Sequence, residues 1–121
     1  MDDRFFELLT AIAERLDHDW TTKEMAVFVG LGDTQFRNLF NDITLYTPTR
    51  YLKEARLQRS RHLIETTREH IDQIGFQVGL RDHSHFTRGF KKKFGLTPTE
   101  YRSQYQEKRQ AEILIGQKSV I

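Results

Sequence analysis

Cysteine is absent from the chain, which removes disulfides, thiolate catalysis and the usual zinc-finger ligand sets. Proline occurs only twice, each time as Thr-Pro-Thr, a setting in which Thr suits a helix cap and Pro the first helical position. Apolar residues make up only 37% of the sequence, so any core is thin, as in short helices packed in small groups. No apolar run approaches the roughly 18 residues of a membrane span, and no signal-peptide apolar region follows Met1. The expectation is a soluble, cytoplasmic protein with no membrane partner. Catalytic motifs are missing too: there is no phosphate-binding glycine loop, no Gly-x-Ser-x-Gly and no His-Glu-x-x-His. The chain therefore reads as a non-enzyme that needs no cofactor.

Charge, by contrast, is plentiful. Charged residues amount to 30%, yet the formal net charge is only +2. The total hides an asymmetry: residues 1–47 carry four Lys/Arg against nine Asp/Glu, residues 48–103 carry twelve against six, and residues 104–121 three against two. A polyanion would meet mainly the second half.

The stretch from His83 to Phe94 says most about function. Phe86, Phe90 and Phe94 recur at helical spacing, as in a helix docked on a core, and the opposite face collects Ser84, Arg88, Lys91 and Lys92, with His85 beside them. Upstream, Ile71 to Leu80 has a short amphipathic helix pattern ending at Gly79, which can take the left-handed conformation. Short helix, glycine turn and second helix with an outward polar face make a helix-turn-helix, whose second helix fits the major groove of DNA, about 12 Å wide. The polar N-terminal half would read base edges while the lysines rest against phosphates.

The earlier part of the chain follows the same plan. Residues 4–17 predict a docking helix with Asp2 and Asp3 favourable at its start, and Thr21 to Glu24 fits a capping box opening a helix from Thr22 to about Val29. A third helix follows Gly32 or Asp33, burying Phe36 and Phe40 and turning Thr34, Gln35 and Asn38 outward, with Arg37 at the flank. A long helix from Pro48 to about Glu65 contains no Gly and no further Pro. The two halves then superpose: Val29-Gly30-Leu31 matches Val78-Gly79-Leu80 at an offset of 49, while Phe36, Phe40 and Thr47-Pro48-Thr49 match Phe86, Phe90 and Thr97-Pro98-Thr99 at 50. This is an internal duplication with one extra residue in the second turn. A rigid helix of some 17 residues spans roughly 26 Å, enough to place two recognition helices about one DNA turn, near 34 Å, apart.

At this point the sequence resembles the DNA-binding domain of the AraC/XylS family of bacterial transcription regulators. Ile71 to Gly75, Val78-Gly79-Leu80, Asp82, Ser84, Phe86, Arg88, Phe90-Lys91-Lys92, Gly95, Pro98 and Tyr101-Arg102 stand in the order of the family's C-terminal signature. Ala26, Gly30-Leu31, Phe36, Phe40, Tyr51 and Arg56-Leu57 match more loosely. The resemblance implies an all-α fold of about seven helices. Two helix-turn-helix subdomains, over 1–47 and 67–103, are joined by a linker helix over 48–66, leaving a C-terminal extension over 104–121. It carries groove-facing roles to Thr34, Gln35, Arg37 and Asn38 in the first unit and to His83, Ser84, His85, Thr87 and Arg88 in the second, Lys91 and Lys92 gripping phosphates. Double-stranded DNA is the implied partner, with RNA polymerase and a separate sensing or dimerising domain as further partners that such regulators use.

Three departures stand out. Gly32 replaces the usual capping Ser; Leu45 stands where the second unit has Gly95, so that if the site needs a positive φ it is either strained or the turn has another shape; and Asn38, Asn41 and Asp42 replace Arg88, Lys91 and Lys92. The last of these removes a phosphate grip, so the expectation is an unequal pair in which the second unit dominates affinity. The alternative is a protein-interaction domain whose first unit has stopped reading DNA and contacts RNA polymerase or a partner regulator.

Other readings are blander. Asp82, His83 and His85 do not converge on a metal, the phenylalanines read as core rather than a base-stacking platform, and structured RNA fits poorly because its major groove is deep and narrow. Arg50, Arg56, Arg59 and Arg61 are open between a solvated face and contact with the DNA backbone. The tail beyond Gln104 is open between a continued helix, a docked segment and disorder.

Overall fold

The computed structural model describes residues 3–119, which leaves Met1, Asp2, Val120 and Ile121 outside the described residues. Seven α-helices follow one another, with no strand among these residues: α1 (Asp3–Glu14), α2 (Thr22–Val29), α3 (Asp33–Thr44), α4 (Pro48–Thr66), α5 (Ile71–Gln77), α6 (His83–Phe94) and α7 (Pro98–Ser119). They form the two helix-turn-helix lobes and long connecting helix that the repeat predicts.

The first lobe closes around Phe5, Leu8 and Ile12 of α1, Met25, Ala26 and Val29 of α2, and Phe36 and Phe40 of α3. The second closes around Ile74, Phe86 and Phe90. Helix α4 serves both: Leu52 belongs to the first core, Leu57 and Ile64 to the second. Its 19 residues run unbroken, and the hydroxyl of buried Ser60 donates to the Leu57 carbonyl at 2.7 Å, whereas the buried Nε of Arg61 has no hydrogen-bond partner and its guanidinium rests over the Phe94 ring.

The duplication extends to atomic detail. Gly30 N donates to Val27 O and Leu31 N to Ala26 O, while Gly79 N donates to Phe76 O and Leu80 N to Gly75 O. These are the same pairs shifted by 49, closing α2 and α5 by one hydrogen-bond pattern. Phe40 meets Tyr51 edge-on at 5.4 Å and 88°, and Phe90 meets Tyr101 at 5.5 Å and 83°. Thr47 and Thr97 each cap the following helix, accepting from Arg50 N and Glu100 N at 3.2 Å. Only the second cap is reciprocal, because the Glu100 carboxylate returns to accept from Thr97 N at 3.0 Å.

Three local outcomes differ from the sequence reading. Helix α1 ends at Glu14 rather than residue 17. The Arg15 carbonyl is taken by the Trp20 indole N–H at 2.8 Å and by His18 N at 3.1 Å, which turns the chain while leaving Leu16 buried. The capping box at Thr21 is half made: Thr21 accepts from Glu24 N, but the Glu24 carboxylate reaches His18 Nε2 at 2.8 Å instead of returning to the backbone. Finally, no element ends at 104. Helix α7 continues from Pro98 to Ser119, so the described part of the tail is helical rather than disordered, and from Gln106 to Gln117 its residues are exposed.

Candidate nucleic-acid interface

Helices α3 and α6 each contain 12 residues and stand fifty positions apart. Each turns a pair of phenylalanines fully inward, Phe36 and Phe40 at 0% exposure, Phe86 at 1% and Phe90 at 0%, while Phe94 at the end of α6 is half-buried. Once those faces are buried, helical periodicity leaves the opposite residues in water. Thr34, Gln35, Arg37 and Asn38 are all exposed on α3, and Ser84, His85, Arg88, Lys91 and Lys92 on α6. The structure thus groups the predicted residues on two outward helix faces. Thr87 is half-buried at the rim. His83 is exposed but not free, since its Nδ1 meets the Asp72 carboxylate of α5 at 2.7 Å and ties the start of α6 to the preceding helix.

The two helices begin and end differently. Asp82 caps α6, its carboxylate accepting from His85 N at 3.0 Å, whereas Gly32 gives α3 no side-chain cap. The same His85 N–H holds the Asp82 carboxyl below its ordinary range, ahead of opposing desolvation and the further help of His85 and Arg88 charge. Three lysines fill the last turn of α6, where the helix dipole favours positive charge; α3 has no basic residue there. Lys93 is ion-paired with Glu54 of α4, which leaves Lys91 and Lys92 facing outward. Arg88 lies along its own helix, its Nε donating to Ser84 O at 3.3 Å.

Between α6 and the N-terminal half of α4 opens a cleft of about 560 Å³, lined by Thr47, Arg50, Lys53, Lys92 and the Glu54–Lys93 pair. Sequence reasoning left Arg50 undecided and did not single out Lys53. Comparing repeats would have pointed to them, because Arg50 and Lys53 correspond to Glu100 and Ser103, so α4 is basic where α7 is not. Two of the other arginines are structural. Arg56 donates to the Leu16 and His18 carbonyls, and Arg61 lies 5.2 Å over the Phe94 ring. Among the described residues no cluster of three or more His, Asp or Glu could hold a metal, and no helix is long and apolar enough to cross a membrane.

Two outward polar helices in tandem, each preceded by a short helix and a tight turn, define a double helix-turn-helix domain. A family model described as a helix-turn-helix domain matches residues 25–104. In sequence, the chain is 32% identical over 96 residues to the transcriptional regulator AlkR of Acinetobacter baylyi, covering 79% of this chain and 31% of that one. In structure, it superposes at a TM-score of 0.76 and 29% identity on an AraC-type transcriptional regulator of Chromobacterium violaceum, covering 85% of this chain and 92% of that one. The DNA-binding domain of AdpA, solved with a target DNA, gives a TM-score of 0.85 at 22% identity, covering 89% and 97%. The chain belongs to the AraC/XylS family of helix-turn-helix transcription regulators, as a DNA-binding domain. It spans well under half the length of such curated relatives, 37% of the activator RhaR of Mannheimia succiniciproducens and 6% of a histidine kinase of Formosa agariphila.

Proposed function

We propose that this domain binds double-stranded DNA sequence-specifically to regulate transcription, with α3 and α6 of one chain entering successive major grooves and the second lobe supplying most of the affinity. The observation that carries this is the pairing of two buried Phe faces with two exposed polar faces at equivalent positions. Thr34, Gln35, Arg37 and Asn38 would address base edges from α3, and Ser84, His85 and Arg88 from α6. His83, engaged by Asp72, and half-buried Thr87 would position that first turn. Lys91 and Lys92 would hold phosphates, joined in the cleft by Arg50 and Lys53. Such a domain acts by binding, in the cytoplasm, and its effect on a promoter would pass to RNA polymerase or to a sensing domain elsewhere.

A second reading has its own support. The acidic first lobe exposes Phe6 and Val27 at 70% each and Phe28 at 42%, side chains suited to contact with a protein such as polymerase or a partner regulator. Titrating random and selected duplexes over a range of salt separates the two readings. A DNA reader shows a steep fall of log affinity with log salt; a domain that binds only proteins shows no DNA affinity at low salt. Lys92→Ala should flatten that slope by about one unit. Arg88→Ala should relax specificity at one base and cost roughly 1–3 kcal/mol. Greater damage from Asn38→Ala than from Arg88→Ala on every site would reverse the order of the lobes.

A further inference from the structure

The turn after α1 presents three consecutive carbonyls toward the rest of the molecule, and two arginines from outside the turn take all three. Arg56 of α4 donates from Nε to Leu16 O at 3.0 Å and from Nη2 to His18 O at 2.8 Å. Arg81, in the α5–α6 turn of the second lobe, donates from Nη2 to Asp17 O at 2.9 Å. Beside it the backbones themselves close up: Gly79 has φ +83°, and a Cβ on it would lie 2.5 Å from Leu16 O. At the equivalent Gly30 the nearest obstacle is only the mobile end of Arg4. Arg102 grips the α4–α5 turn through the Ile64, Thr67 and Glu69 carbonyls, but from within its own lobe. The Leu16–His18 turn is held from both lobes.

We infer that this off-axis contact of Gly79 and Arg81 with Leu16 and Asp17, braced by Arg56, fixes the orientation of α6 relative to α3 and so sets the spacing between DNA half-sites that the domain accepts. The inference rests on the two-groove reading above. A single connecting helix sets the distance between two lobes but leaves bending and rotation to side-chain packing. A second contact away from its axis removes that freedom. The consequence for DNA is sharp, because one base pair of spacing turns the second half-site by about 35° and shifts it by roughly 3.4 Å. Gly79 and Arg81 lie in the turn that introduces α6, so a shift there is transmitted directly to Ser84, His85 and Arg88.

The test uses a duplex selected from a random library, rebuilt with one or two base pairs added to or removed from between its half-sites. The wild type should lose about tenfold in affinity per base pair changed. Arg81→Ala should lose less than about threefold, with its melting temperature within roughly 2 °C of wild type, and Arg81→Lys should restore part of the discrimination. A DNA-independent readout runs in parallel. Because the chain has no cysteine, spin labels on Asn41→Cys and Thr99→Cys report one inter-lobe distance, expected narrow in wild type and broadened by Arg81→Ala. Unchanged spacing preference and unchanged distance distribution in Arg81→Ala overturn the inference. A wild-type motif with only one half-site overturns the two-groove reading instead, and the label distances still decide whether the contact orients the lobes.

Discussion

Leu45 is the one described residue other than glycine with a positive φ, +68°, and its side chain is 81% exposed. It closes α3 in the left-handed conformation that Gly95, at +85°, adopts after α6. For a side chain with a Cβ that conformation costs roughly 1–2 kcal/mol, and little is recovered by burial here. Leu45→Gly should therefore stabilise the domain by roughly 0.5–1 kcal/mol after the larger unfolded-state entropy of glycine is subtracted, readable in a urea melt. The position was legible from the repeat alone, as a leucine where its twin has glycine, but the sequence left two outcomes, a strained residue or a differently shaped turn. Backbone geometry settled it as the strained residue. Other residues were illegible for a different reason: the partners of Arg56, Arg81 and Arg102 are backbone carbonyls, and a carbonyl carries no side-chain identity for a sequence pattern to register.

Among elements, α6 is the better built of the two recognition helices, with an aspartate cap at one end and lysines at the other, where α3 has Gly32 and no basic residue in its last turn. Because the His85 backbone N–H lowers the Asp82 carboxyl below its unfolded value, its contribution is complete above the usual carboxylate range and is lost as pH falls through the folded value. Asp82→Asn keeps a capping oxygen without the charge. Its melting temperature should match wild type in acid and fall behind as the pH is raised through about 4, a difference seen by measuring melts from low to neutral pH. Most elements were readable beforehand because their signals are local: Thr-Pro starts at Pro48 and Pro98, a glycine stop at Gly30, phenylalanines four apart in α3 and α6. Helix α1 overran its true end in the sequence reading because Trp20, five residues further on, takes the Arg15 carbonyl. From Gln106 to Gln117 there is no apolar stripe to find, since α7 is exposed there and no core imposes a period.

At the scale of the molecule, the arrangement of two lobes about α4 followed from duplication, whereas their mutual orientation did not. Orientation depends on the close approach of Gly79 to Leu16, residues far apart in the chain and without a shared motif. The charge asymmetry carried over to the surface, where the basic face of α6 adjoins the Arg50 and Lys53 wall of the cleft. A last consequence concerns α4, which gives Leu52 to one core and Leu57 and Ile64 to the other. A rod shared in this way cannot be withdrawn from either half without opening both. Calorimetry should accordingly show one cooperative heat-absorption peak, with van't Hoff and calorimetric enthalpies in agreement. A chain severed within the shared rod should yield two pieces that are each unable to fold until they are mixed, so the duplicated halves, whatever their origin, now survive only as a pair.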